Sequence, residues 1–264
     1  VSPSCWPLSF LPRWGRIFNR SWREGKIFPH YVSRQYWDGL LALPGGGSVV
    51  AVMSAISPNY EAVRQATVSQ APCPHIVVPD FLAGPPLARA VSLLPEIRAG
   101  GSFPLGALKL HPELKAMMEE FAGPQLKEIV SEKFGLDVRS APSMVTMRGQ
   151  TRAKDGRIHR DSASKRVTIL LYLNDPAKDW GHKGGCLRFL NGPDDVEDYA
   201  SEIPPIGGTL VIFPNGPDTW HGHRPYVGPR YTVQLNYMAQ DVRARRELQR
   251  HRFSAFFKRL PFIG

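Results

Sequence analysis

Arg157-Ile158-His159-Arg160-Asp161, Val167-Thr168-Ile169-Leu170-Leu171-Tyr172-Leu173-Asn174, Trp220-His221-Gly222-His223-Arg224-Pro225 and Arg230-Tyr231-Thr232 lie in one stretch, Arg157 to Tyr237. The fold follows from its pattern. Val167 to Asn174 is a run of branched and aromatic residues, the composition of a strand. Ser143 to Arg148, Cys186 to Leu190, Gly208 to Phe213 and Tyr231 to Met238 read the same way. Turn clusters separate them: Gly184-Gly185, Asn191-Gly192-Pro193, Pro204-Pro205, Pro214-Asn215-Gly216-Pro217 and Gly228-Pro229.

Upstream the period changes to helical. Pro112 to Phe121 and Pro124 to Phe134 each carry proline at the start, with Gly123 between them. Leu114, Met117, Met118 and Phe121, then Leu126, Ile129, Val130 and Phe134, form stripes that read as core. A further helix is predicted over Leu87 to Ile97, a short one from Asn59 to Ser69, and a strand over His75 to Pro79. Helices first and strands second predict an α+β fold, with a helical layer on one sheet of an antiparallel sandwich or jelly roll.

The ends differ from the middle. The chain has 264 residues and a formal charge of +10. Residues 1–52 hold six Lys/Arg against two acids, and residues 241–264 hold seven against two, so the middle is nearly neutral. No basic nucleic-acid face is expected of that middle. Residues 1–52 show no sustained period and begin with Val, so a disordered or non-native extension is the expectation, with Met53 as a candidate start. Residues 53–240 read as the domain, and residues 241–264 as a basic helix that docks on the sheet or on a second copy as a homodimer. Three scattered cysteines (Cys5, Cys73, Cys186) suit neither a disulfide framework nor a Cys-x-x-Cys site, which points to the cytoplasm. No apolar run approaches the ~18–20 residues of a membrane span.

The chemistry sits in the histidines. In a strand, residues i and i+2 share a side, so His159 and Asp161 can offer a nitrogen and an oxygen to one ion. His221 can join them if a closed sandwich brings its strand alongside. Two imidazoles and a carboxylate on one face of a divalent metal leave positions open, the donor set of non-haem Fe(II) oxygenases. Arg230, nine residues past His221, supplies a fork for one carboxylate of a dicarboxylic acid. It shares a strand side with Thr232, Gln234 and Asn236, a polar face that suits a filled pocket.

Together with Gly184-Gly185-Cys186-Leu187-Arg188 and Pro214, these motifs resemble the prolyl-4-hydroxylase-like branch of the Fe(II)/2-oxoglutarate-dependent oxygenase superfamily. The likeness spans roughly residues 75–240 and is strongest over 148–238. It implies a double-stranded β-helix (jelly roll) with helices packed on one sheet. It implies Fe(II) held by His159, Asp161 and His221, and 2-oxoglutarate as co-substrate held by Arg230. Tyr172 matches a position that bonds the same carboxylate in some relatives, and Thr232 is a weaker candidate. Ascorbate is a further cofactor candidate. His223 is the rival to His221; the spacing to Pro225 and Arg230 favours His221. No catalytic residue is expected beyond the metal ligands. Met147, Arg148 and Gly149 stand where some relatives have a tyrosine, so the role of Arg148 stays open between co-substrate and substrate.

The expected reaction is a dioxygenase hydroxylation, consuming O₂ and converting 2-oxoglutarate to succinate. Its substrate is unidentified, a prolyl or other protein residue or a small molecule. Two rivals remain: an inactive jelly-roll binding module, and a cupin-type metal-dependent isomerase or hydrolase. The latter has no need of Arg230.

Overall fold

The computed structural model describes residues 56–178, 180 and 184–257, with side chains to residue 250. The predicted N-terminal extension and residues 179, 181–183 and 258–264 lie outside the described residues.

The helices come first: α1 (Tyr60–Gln65), α2 (Gly84–Ser92), α3 (Pro112–Phe121) and α4 (Pro124–Phe134). Proline opens α3 and α4, where a missing N–H costs nothing. Gly135, at φ +62°, ends α4 in the left-handed conformation. α2 begins and ends earlier than the predicted Leu87–Ile97. Pro85 and Pro86 can occupy its first turn, whereas Pro95 disfavours helical geometry at Leu94 and stops it.

The strands are β1 (Ile76–Val78), β2 (Phe103–Pro104), β3 (Ser143–Thr151), β4 (Lys165–Tyr172), β5 (Leu187–Leu190), β6 (Tyr199–Ile203), β7 (Leu210–Pro214), β8 (His221–Gly222) and β9 (Gly228–Met238). They form a six-stranded sheet, β1-β7-β4-β9-β3-β2, and a three-stranded sheet, β6-β5-β8, with antiparallel neighbours throughout. The α+β fold class read from the sequence holds. β2, β6 and β8 were not predicted: β2 and β8 are two residues long, and Tyr199–Ile203 is largely exposed, with no apolar alternation to reveal it.

Alternation along the strands sorts the core into two layers. Val167, Ile169 and Leu171 of β4, Leu210 and Ile212 of β7, and Val233, Leu235 and Tyr237 of β9 pack with the buried faces of α1 to α4. The opposite face sends Tyr172, Val211 and Phe213 against Leu187, Phe189 and Ile203 of the small sheet. One face of the large sheet thus carries the helices and the other meets the small sheet, the layering of a jelly roll. Beyond that inter-sheet core the inner face turns polar, with Thr168, Arg230, Thr232, Gln234 and Asn236.

The last helix, α5 (Val242–Phe257), packs on this chain's own sheet: Ala244 is buried with Met144 and Met238, and Leu248 lies against them. Glu247 accepts hydrogen bonds from Ser162 (3.1 Å) and from Ser164. Among the described residues no helix is long and apolar enough to cross a membrane.

One glycine ties the layers together. Gly208 (φ +88°) donates to Tyr172 O and accepts from Leu82 N, and a Cβ there would lie 1.9 Å from Leu82 O. Gly208→Ala is expected to cost about 2–4 kcal/mol, from backbone clash plus left-handed strain. That corresponds to a fall of roughly 5–15 °C in thermal midpoint for a domain of this size. Calorimetry checks it; a midpoint within about 2 °C of wild type would show that the turn relaxes freely.

Candidate metal and co-substrate site

His159 and His221 stand directly opposite each other in an isolated antiparallel bridge that extends the small sheet past β8. Each N–H donates to the other's carbonyl at 3.0 Å. Paired residues in an antiparallel bridge project to the same side, and the two imidazole centroids lie 4.3 Å apart. His159 and Asp161 are not in a regular strand as the sequence suggested; this bridge replaces it.

The tautomers are set by backbone carbonyls. His159 Nδ1 lies 2.8 Å from Arg157 O, and His221 Nδ1 lies 3.0 Å from Thr219 O. An Nδ1–H donated to a carbonyl leaves the lone pair on Nε2, which is how metal-binding imidazoles are oriented. Burial, joined by the neighbouring His159, pushes His221 down to about 4, so it is neutral at physiological pH.

Asp161 lines the same cavity, but its oxygens are engaged elsewhere. Lys165 Nζ donates to Oδ1 at 2.5 Å, and the Thr168 hydroxyl donates to Oδ2 at 2.6 Å. Asn215 Nδ2 in turn donates to the Thr168 oxygen at 3.0 Å. Burial opposes the charge on Asp161, yet Lys165, His221 and the Thr168 hydrogen bond outweigh it and hold its pKa below the usual value. Among the described residues no group of three His, Cys, Asp or Glu side chains is drawn together as a metal cage. The cavity gathers the three expected ligands on its wall, where Lys165 and an ion would share the Asp161 carboxylate.

Lys165→Met tests that competition. Without metal, the buried Asp161 charge loses its partner, and the variant is expected to be about 1–3 kcal/mol less stable. Mn(II) then replaces the missing positive charge, so it should raise the thermal midpoint more in the variant than in wild type. Equal shifts would show that Lys165 and the ion do not compete for Asp161.

Arg230 forms the floor of the cavity. It is 7% exposed; Nε donates to Gly185 O at 2.9 Å, and an Nη donates to Thr232 Oγ1 at 3.2 Å. Its guanidinium carbon sits 5.2 Å from the centre of the Tyr172 ring. Gly185 (φ +78°) permits the turn that aims its carbonyl at Arg230. No carboxylate pairs with Arg230 among the described residues. The Tyr172 hydroxyl beside it is fully buried, with the guanidinium as its polar neighbour and no acceptor for its O–H among the described residues. A buried cation without an acid and a buried phenol without an acceptor are costly together. A carboxylate placed between them would satisfy both, and this is the fit that a dicarboxylic co-substrate offers. Both Nε2 lone pairs and the Asp161 oxygens likewise suit Fe(II) by donor type.

The cavity measures ≈ 520 Å³ and is also lined by Arg148, Leu170, Leu187, His223 and Gln234. His223 accompanies His221, but its Nδ1 faces Arg224 O (2.8 Å) and its ring covers Gly156, where a Cβ would lie 2.2 Å away. Burial, together with the charge of Arg230, pushes His223 down to about 4. The loop through Asn215, Gly216 and Pro217 borders a second opening beside His159 and Asp161. His111 caps α3. His75, at the start of the predicted strand, is buried against Phe189 with Nδ1 on Cys73 O. Lys165 and Thr168 were missed as site residues. Thr168, a hydroxyl inside an apolar strand, was the signal that could have found them.

Comparison with known proteins agrees with the motifs. A family model, the 2OG-Fe(II) oxygenase superfamily, matches residues 148–238. No curated protein sequence matches the chain. Among solved structures, the chain is similar to a prolyl 4-hydroxylase from Phytophthora capsici (18% identity, 77% of each chain, TM-score 0.46). It is also similar to one from Pseudomonas putida (17%, 59% of this chain and 83% of that one, 0.39). A third is a Trichoplax adhaerens prolyl hydroxylase in complex with a hypoxia inducible factor peptide fragment (17%, 62% and 83%, 0.38). At these identities and scores nothing about substrate passes to this chain. Residues 148–238, the part similar to the 2OG-Fe(II) oxygenase superfamily, hold both histidines, Asp161, Tyr172 and Arg230.

Proposed function

We propose that the cavity between the sheets is the active centre of a 2-oxoglutarate-dependent dioxygenase that hydroxylates its substrate. His159, Asp161 and His221 would hold Fe(II), and Arg230 the distal carboxylate of 2-oxoglutarate, with Tyr172 and Thr232 beside it. One observation carries the reading: a buried Arg230 lacking an acidic partner among the described residues, next to the unsatisfied Tyr172 hydroxyl.

When bound, the iron supplies the O₂ activation that couples decarboxylation of 2-oxoglutarate to oxidation of a C–H bond. The chain's own residues position and enclose. The carbonyls of Arg157 and Thr219 hold the two imidazoles with Nε2 free, and Thr168 steers Asp161 from the opposite sheet. Arg230, tied to Gly185 and Thr232, is preorganised, so little side-chain entropy is lost when a carboxylate arrives. Leu170 and Leu187 give the cavity apolar wall.

The test is calorimetric titration of 2-oxoglutarate into the full chain with and without Mn(II), which keeps the site redox-silent. Binding that requires the metal supports the proposal. Binding of metal without 2-oxoglutarate would favour an isomerase or hydrolase, and binding of neither a jelly-roll module without chemistry. Cytoplasmic location is supported by two free, buried cysteines, Cys73 and Cys186, and tested by fractionation. Homodimerisation through the last helix is suggested by Phe253, Phe256 and Phe257, and tested by light scattering. Ascorbate as a further cofactor is tested by its effect on succinate yield.

A further inference from the structure

We infer that Arg148 grips an anionic group, a carboxylate or phosphate, on the substrate that is oxidised. The inference rests on the dioxygenase reading and names the substrate class for the same cavity. Arg148 lines the cavity from β3, half-buried, and makes no hydrogen bond or ion pair among the described residues. The acids within its electrostatic reach are taken: Arg152 binds Asp155 through Nε (3.2 Å) and Nη2 (3.0 Å), and Lys165 holds Asp161. A guanidinium with five donors facing a cavity is poised for an anion supplied from outside.

Sheet geometry decides which anion. Tyr172 of β4, Thr232 of β9 and Arg148 of β3 are paired side by side across three strands. Arg230 leans toward the β4 side, over Tyr172 and under the Gly185 carbonyl. Asp161 is held on that same side by Thr168. A co-substrate stretched between Arg230 and the three ligands therefore runs along β4. Arg148 lies on the other flank of β9, where the register shift between Arg148 and Gln150 breaks the regular ladder. It faces what enters beyond the co-substrate.

Charge balance points the same way. The cavity is lined by Arg148, Lys154, Arg157, Arg160, Lys165 and Arg230 against Asp155 and Asp161. A divalent metal and a dianionic co-substrate cancel, so the loaded cavity stays cationic. Lys154, Arg157 and Arg160 are exposed at its rim, with Arg160 stacked on Trp220 (4.5 Å) and donating to Pro217 O. Such a funnel draws in anions and disfavours a cationic substrate.

The experiment titrates inorganic phosphate, and separately acetate, into the full chain preloaded with Mn(II) and 2-oxoglutarate, for wild type, R148Q and R148K. The expected result is binding of at least one anion, weakened about 10- to 100-fold in R148Q and less in R148K, as loss of a charge-assisted fork predicts. Affinity for 2-oxoglutarate should stay within about threefold of wild type; this also shows that the variants are folded. Three results overturn the inference: no anion binding in wild type, anion binding unchanged in R148Q, or an R148Q that binds Mn(II) but has lost 2-oxoglutarate. The last would assign Arg148 to the co-substrate. Should R148Q fail to fold, R148K must show the weakening on its own. A wild-type chain that binds no 2-oxoglutarate would instead remove the dioxygenase reading, and this inference with it.

Discussion

Arg230→Ala is expected to weaken 2-oxoglutarate binding by roughly 30- to 5,000-fold while Mn(II) affinity stays within a few-fold of wild type. The size follows from truncating one partner of a buried charge pair, about 2–5 kcal/mol. In the ligand-free chain Arg230 is a buried cation without an acid among the described residues, held by Gly185 O and Thr232. Removing it relieves a desolvation cost and loses two hydrogen bonds. These terms oppose each other, so the free variant should lie within about 1 kcal/mol of wild type. What disappears is the extra stability conferred by co-substrate. Thermal midpoints with and without 2-oxoglutarate, read beside calorimetry, separate the two. A variant that binds 2-oxoglutarate like wild type would place the distal carboxylate elsewhere.

The second large effect belongs to the metal. His221→Ala is expected to lower Mn(II) affinity by more than ~100-fold, beyond the 10–100-fold that loss of a supporting residue costs. Metal-dependent 2-oxoglutarate binding should vanish with it. His221 packs 5.1 Å from Phe213 and is 6% exposed, so truncation also leaves a small void. His221→Gln, which keeps volume, controls for that void and should lose metal as well. The pattern across variants is diagnostic. His221 variants lose both ligands, whereas Arg230→Ala loses one. A cupin-type isomerase would tolerate the loss of Arg230, and a binding module would be indifferent to His221.

Most of the architecture was legible because it rests on periodicity. α3 and α4 begin and end at the predicted residues, since proline at the first turn and Gly135 at the last are local signals. β9 carries Arg230, Thr232, Gln234 and Asn236 on one face as alternation requires, and Val233, Leu235 and Tyr237 enter the helical core on the other. The polar face, together with the nine-residue step from His221, made Arg230 stand out in the sequence.

Direction was not legible. Spacing brings His159, Asp161 and His221 to one cavity, but it cannot tell that Asp161 turns to Lys165 and Thr168. Those contacts cross from the ligand loop to β4 and depend on how two sheets face each other. The same holds for Arg148. The sequence singles it out but leaves it open between co-substrate and substrate. The register against Thr232, and the pairing of Asp155 with Arg152, mark it as a cation facing open space. β8 was equally hidden: two residues carry no period, and its identity comes from its pairing with β5 and the adjoining bridge to His159.

His159, Asp161 and His221 are expected to close on a single ion, with Arg230 deeper in the same cavity. A crystal structure of the full chain grown with Mn(II) and 2-oxoglutarate under anaerobic conditions tests it most directly, with anomalous scattering to locate the ion. The expected result is manganese bonded to His159 Nε2, His221 Nε2 and an Asp161 oxygen released from Lys165, with the far carboxylate of 2-oxoglutarate on Arg230. An ion seated elsewhere, or Asp161 still paired with Lys165 while the metal is bound, would contradict it.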